Sequence, residues 1–199
     1  MEEIKLAGIE NVMALRGDLP SGDTTSPAER TYRYAVDLIR ELREFAPEIC
    51  IGGACYPEIH PESQNQKEDI LHLKEKADAG CSFFTTQMFF DNNLLYNFLY
   101  KIREAGITLP IIPGIMPITS VTQIERALKL SGSFVPQRFK SLVDKFGTSP
   151  AAMKQAGIAY ATDQIIDIYA NGITNVHVYS MNKPDVAEAI QRNLSNILG

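Results

Sequence analysis

Cysteine is scarce in this sequence. The 199 residues hold three, Cys50, Cys55 and Cys81, and no two form a Cys-x-x-Cys pair. An odd number without that spacing offers no disulfide framework. The three read as small buried hydrophobes in a reducing compartment, a catalytic thiol being the alternative. Histidine is equally scarce, with three residues and no His-x-x-x-His pair, so no metal site is expected. No apolar run approaches the roughly 18 residues that span a membrane. Neither charge dominates: the net charge of -5 argues against a nucleic-acid footprint. Residues 1–10 carry three acids and one lysine, which is no secretory signal. Gly-x-Gly-x-x-Gly, Walker and Gly-x-Ser-x-Gly motifs are all missing, which weakens nucleotide-motif and serine-hydrolase readings. What remains is a cytoplasmic protein of one domain, 45% hydrophobic and long enough for a sizeable core.

Five apolar runs bounded by turn residues read as buried strands: Val12–Leu15, Ile49–Cys55, Phe83–Phe90, Ile111–Ile115 and Val176–Tyr179. Helical spacing of apolar residues falls between them, over Tyr32–Phe45, Asp69–Ala79, Leu94–Ala105, Val121–Leu130 and Pro150–Ala170, and then over Asp185–Ile197. The long gap from Ile115 to Val176 is expected to hold two helices. Strand and helix alternate, which predicts an α/β fold with a parallel sheet and right-handed crossovers. An open doubly wound sheet is one solution. A closed (β/α)8 barrel is the other, but it takes eight strands and about 250 residues. Composition does not choose between them.

Polar residues gather at the carboxyl end of every proposed strand, where ligands bind in parallel α/β folds. The strand ends carry Arg16, Gly17 and Asp18; Tyr56, Pro57, Glu58, His60, Pro61 and Glu62; Gln87 and Asp91; the turn residues Pro113-Gly114 and Pro117; and Ser180, Asn182 and Lys183. Each has a plainer explanation. Arg16 and Asp18 could be a surface ion pair of little worth. His60, between two prolines, could simply be exposed, and His72 and His177 could be structural. Gln87, inside an apolar run, calls for hydrogen-bond partners from either the core or a ligand.

Taken in order, the segments GIENVMALRGDLP (8–20), YAVDLIREL (34–42), YPEIHPES (56–63), DILHLKEKADAG (69–80), TTQMFFD (85–91), IIPGIMPI (111–118) and VHVYSMNK (176–183) resemble the catalytic domain of methylenetetrahydrofolate reductases. The resemblance runs from about Gly8 to the end of the chain. It implies a (β/α)8 TIM barrel truncated to about its fourth to eighth strands, so that residues 1–199 form a single partial barrel domain. It implies FAD as cofactor and NAD(P)H as co-substrate. The reaction implied is reduction of 5,10-methylenetetrahydrofolate to 5-methyltetrahydrofolate, in one-carbon metabolism and methionine biosynthesis. The glutamate that serves the family as proton donor would lie on one of the three absent strands. A catalytically incomplete fragment or a flavin-binding partner of a second chain is therefore the competing reading. The related flavin barrel of proline dehydrogenase is another, which TTQMFFD disfavours.

The resemblance also assigns residues. Asp18 is the implied catalytic residue, an electrostatic partner of the folate ring. Arg16, Gly17, Asp18, Tyr34, Ala35, Tyr56, His60, Pro61, Glu62, Ser63, Asp69, His72 and Lys76 are implied to hold the FAD. Asp18, Gln87, Gln123 and Lys183 are implied to touch the folate. Lys183 replaces an arginine and so lacks its bidentate geometry. Ala127 stands where some relatives have phenylalanine, and Glu75 where some have arginine. Implied partners are the small-molecule folate, a homo-oligomer or a complementing N-terminal segment, with no nucleic acid and no membrane.

Overall fold

A computed structural model describes residues 2–17 and 31–198. Helix and strand alternate through it: α1 (Glu2–Leu6), β1 (Asn11–Ala14), α2 (Ala35–Phe45), β2 (Cys50–Cys55), α3 (Gln66–Asp78), β3 (Phe83–Thr86), α4 (Asn92–Glu104), β4 (Ile111–Ile112), β5 (Gly114–Ile115), α5 (Val121–Ser131), α6 (Gln137–Phe146), α7 (Pro150–Ala170), β6 (His177–Val178) and α8 (Pro184–Asn193). All strand pairs are parallel, in the orders β1-β2-β3-β4 and β5-β6. Each strand therefore lies beside its neighbour in the chain. A doubly wound sheet reverses order at a switch point; no reversal occurs among the described strands.

The expected strand Ile111–Ile115 is broken into β4 and β5 by Pro113. Proline has no N–H to give to a ladder. The Gly114 N–H instead donates to Thr86 Oγ1 at 2.8 Å. The Pro113 carbonyl accepts from the His177 N–H at 2.8 Å, so β6 is bound on the other side of the same pivot. The third strand is also shorter than its apolar run. It ends at Thr86 because Gln87 takes the Met88 N–H on its own side chain, Oε1 accepting at 3.0 Å. Phe89 and Phe90 are buried, but in two different clusters beyond the ladder.

Ala14, Ile51, Phe84 and Ile111 of the sheet pack against Ile39 and Leu42 of α2, Leu73 of α3, and Phe98 and Ile102 of α4. Ile115 and Val178 meet Ile165 and Ile168 of α7 with Val186 and Ile190 of α8. Strand side chains alternate faces, so Met13, Gly52 and Phe83 look away from these helices. Met13 Cε and the Phe83 ring close over Gly52, and Met13 remains 42% exposed. Parallel sheets are ordinarily covered on both faces; this one has a partly open apolar second face.

Three helices, rather than two, lie between Ile115 and β6. The unforeseen one, α6, carries Phe139, Leu142, Val143 and Phe146 at helical spacing, and all join the cluster around Phe90 and Tyr160. The short α1 has no fully buried residue; only its Ile4 packs against the first core cluster. Helix α2 begins three residues later than its apolar spacing suggests, because Asp37 Oδ2 accepts the Arg33 and Tyr34 N–H groups at 3.0 and 2.9 Å and fixes the start there. Helix α7 has the expected bounds, with Ser149 Oγ accepting from the Ala152 N–H and proline in its first turn. Cys55 and Cys81 are buried and Cys50 half-buried; burial pushes the Cys55 thiol up, and that of Cys81 to about 11. No helix among the described residues is long and apolar enough to cross a membrane.

Candidate functional site at the strand ends

The first strand end is shaped by Gly17, whose φ of 77° is a backbone that glycine accepts and other residues resist. Beside it, the Arg16 guanidinium donates to Glu62 with both terminal nitrogens, at 2.8 Å to Oε2 and 2.7 Å to Oε1. Such a fork is both strong and orienting. It ties the end of β1 to the loop between β2 and α3. The hydrogen bond to Glu62 holds the Arg16 pKa above its ordinary value, and the Tyr56 and Tyr34 hydroxyls add to this.

The β2–α3 loop is organised by Asp69, a buried carboxylate in the first turn of α3. Its Oδ2 accepts from the His60 N–H at 3.2 Å and its Oδ1 from the Ser63 hydroxyl at 3.3 Å. A carboxylate is favoured there by the helix dipole. His60 Nδ1 accepts from the Glu62 N–H at 3.1 Å, so Nε2 carries the ring proton. Burial lowers the His60 pKa, which keeps the ring neutral at pH 7. The ring meets Tyr56 edge-on at 4.6 Å. Lys76, two turns along α3, turns back to the sheet and donates to the Ala54 carbonyl at 2.6 Å. Burial lowers its pKa. His72 is exposed on the same helix.

At the third strand end the Gln87 N–H donates to the Cys55 carbonyl at 2.7 Å, which holds Gln87 beside the end of β2. The Tyr179 hydroxyl crosses from beyond β6 to donate to the Thr86 carbonyl at 2.8 Å. Burial pushes its pKa up to about 12, with Cys55 and Tyr56 adding to the shift.

The last two strand ends are joined by Thr119. Gln123 Oε1 accepts from the Thr119 N–H at 2.9 Å and lies 3.1 Å from its hydroxyl; Gln123 Nε2 donates to the Pro117 carbonyl at 3.3 Å. The Lys183 ammonium donates to Thr119 Oγ1 at 2.8 Å. This places Gln123 at the start of α5 and Lys183 at the start of α8 in one polar cluster. The β2–α3 loop also reaches across the rim: Glu58 Oε2 accepts from the Phe134 N–H at 2.8 Å, in the loop between α5 and α6. Ser133 in that loop donates to the Met88 carbonyl at 3.3 Å. Backbone and side-chain hydrogen bonds thus tie several of the strand ends and their loops to one another.

Residues 1–195 match the family described as methylenetetrahydrofolate reductase. The chain belongs to that family. It is similar to "Methylenetetrahydrofolate reductase 1" of Schizosaccharomyces pombe, 36% identical over 94% of this chain and 31% of that protein. It is similar to the "5,10-methylenetetrahydrofolate reductase" of Escherichia coli K12, 33% identical over 94% of this chain and 61% of that protein. The chain thus spans about a third of the first relative and under two thirds of the second. Among solved structures it resembles an uncharacterized Clostridium thermocellum protein described as binding two copies of 5-methyl-5,6,7,8-tetrahydrofolic acid. The TM-score is 0.60 at 16% identity, over 83% of this chain and 59% of that one, a likeness of fold alone.

The reductase resemblance singles out residues that the structure gathers to differing degrees. Arg16, Gly17, Tyr56, His60, Glu62, Ser63 and Asp69 form one connected group at the ends of β1 and β2, while Tyr34 is the N-cap of α2. Ala35 opens α2 next to Tyr34, and Pro61 is an exposed member of the His60 loop. Gln87 joins them through β2, while Gln123 and Lys183 form the second group. Asp18 lies outside the described residues. Sequence reasoning missed Tyr179 and Thr119, and it gave no role to Glu58. Tyr179 follows His177 at strand period and so shares the sheet face of Gly114, a signal that was available.

Proposed function

We propose that this chain is the catalytic part of a cytoplasmic methylenetetrahydrofolate reductase, reducing 5,10-methylenetetrahydrofolate with NAD(P)H through bound FAD. The observation that supports the reading is that family residues gather in two hydrogen-bonded groups at the strand ends, one around Arg16, His60 and Asp69 and one around Gln123 and Lys183. The residues present fit the cofactor. Exposed Met13 and Leu15, in β1 and just past its end, offer an apolar face to a flat ring system. His60, Ser63 and Arg16 supply polar contacts for a ribityl chain and diphosphate beside it. When bound, FAD supplies hydride transfer between nicotinamide and folate.

This chain's own residues bind, orient and polarise. The β2–α3 loop, with Asp69 behind it, would hold the cofactor through His60, Ser63 and the Arg16–Glu62 pair, with Tyr34, Ala35, Tyr56 and Pro61 around it and His72 and Lys76 toward the adenosine end. Gln87 would present its amide N–H2 to the pterin, its Oε1 being engaged by the Met88 N–H. Gln123 and Lys183 would receive the distal part of the folate, Lys183 as a point charge for a carboxylate. Asp18, next to Gly17, would stabilise positive charge developing on the folate ring, an effect that strengthens where water is excluded. Asp18→Asn is expected to slow the folate half-reaction about tenfold more than the NAD(P)H half-reaction. Stopped-flow absorbance of the flavin separates the two, and equal slowing of both would refute that role.

The sheet is read as strands four to eight of a (β/α)8 barrel, with β4 and β5 together counting as one. Among the described residues β1 pairs only with β2, and β6 only with β5, which supports completion by a complementing N-terminal segment or a second copy. Mixing the chain with a polypeptide that supplies the first three βα units, then assaying NAD(P)H oxidation by methylenetetrahydrofolate, tests the whole reading. Turnover only in the mixture supports completion by that segment. Folded, flavin-loaded mixtures without turnover would overturn the reductase assignment.

A further inference from the structure

We propose that Glu58 is a positioning residue that clamps the β2–α3 loop to the α5–α6 loop and so fixes the His60–Ser63 segment at the rim. The consequence for cofactor affinity rests on the function proposed above; the clamp itself does not. Two observations carry it. The loop is held on its β1 side by the Arg16–Glu62 fork, and on its far side Glu58 Oε2 accepts from the Phe134 N–H at 2.8 Å, across 76 positions of chain. The second Glu58 oxygen, Oε1, is buried with no hydrogen-bond partner among the described residues.

A buried carboxylate oxygen without a partner costs stability. Burial accordingly pushes the Glu58 pKa up, against the Phe134 N–H. The Phe134 contact alone does not need a charge, since a glutamine amide oxygen could accept the same N–H. Its need is for reach: the side chain must span from the β2–α3 loop to the α5–α6 loop. The Glu58 backbone is anchored as well, its carbonyl accepting from Gln66 Nε2 at 3.5 Å, and Gln66 in turn accepts from Lys101 of α4. Ser133 fixes the receiving loop to the end of β3. Glu58 therefore joins two segments that are each already secured, and removing it would leave the His60 loop tied on one side.

Amide hydrogen exchange on the full chain tests this. Glu58→Ala, and Glu58→Asp, which is one methylene too short, are expected to speed exchange at Phe134 about tenfold. They are also expected to speed it at Ser63, whose N–H donates to the His60 carbonyl at 2.9 Å. Glu58→Gln keeps an acceptor at full length and is expected to stay within about twofold of wild type at both amides. FAD affinity, by flavin fluorescence, should fall about fivefold in the Asp and Ala variants and be rescued by Gln. Unchanged Phe134 exchange in Glu58→Asp would overturn the clamp. So would faster exchange at Phe134 with Ser63 and FAD affinity unaltered. Should wild type bind no FAD, the cofactor reading fails, while exchange at Ser63 still decides the clamp.

Discussion

Gly157→Ala is expected to destabilise the fold by about 3 kcal/mol, an overpacking effect at the upper end of its range. A Cβ at Gly157 would lie 1.7 Å from the Ile118 carbonyl oxygen and 2.7 Å from its carbon. Both are backbone atoms, and no rotamer change can clear them. Helix α7 would have to move off the β5–α5 connection, opening the clusters that hold Ala161 and Ile165 on one side and Met153 and Tyr160 on the other. At this chain length the loss corresponds to about 6–12 °C in Tm. Thermal unfolding followed by circular dichroism measures it, and a midpoint within about 2 °C of wild type would contradict the packing described. Thr119 follows Ile118 directly, so the same displacement would disturb the Gln123–Thr119–Lys183 cluster.

Asp69→Ala is expected to weaken FAD binding about 30-fold, or about 2 kcal/mol. The carboxylate lies behind the rim, buried, and it takes the His60 N–H and the Ser63 hydroxyl together. Alanine leaves the half-buried His60 N–H without its acceptor and frees the Ser63 side chain. The loss concentrates in the loop, because α3 keeps its Asn65 cap, which accepts from the Glu68 N–H at 3.0 Å. Titration of FAD into the variant, with helix content checked by circular dichroism, separates loop loosening from unfolding. An unchanged dissociation constant would remove the loop from the cofactor site.

The alternation of strand and helix was legible because buried parallel strands are nearly continuous apolar runs, as Cys50–Cys55 is, with glycine admitted where neighbours crowd in. Helix α7 was legible at both ends from Ser149-Pro150 and Gly172. The run Phe83–Phe90 misled because burial and ladder pairing part company at Gln87: Phe89 and Phe90 are core residues without being strand residues. Pro113 inside Ile111–Ile115 was a visible warning of the break. At the rim, residue types could be read, but their pairing could not. Nothing in the sequence says that Arg16 chooses Glu62, 46 positions on, or that Lys76 turns inward to the Ala54 carbonyl. Glu58 could be read as a strand-end acid but not as a clamp, its partner being a backbone N–H in a distant loop.

In the proposed function the loops at the strand ends receive a flavin. A visible spectrum of the purified chain, after incubation with FAD and removal of free ligand, tests this most directly. Flavin bands at about 380 and 450 nm that travel with the protein, and that fade in Asp69→Ala, are the predicted result. A folded wild-type protein from which all flavin washes away, with or without the complementing segment, would contradict it.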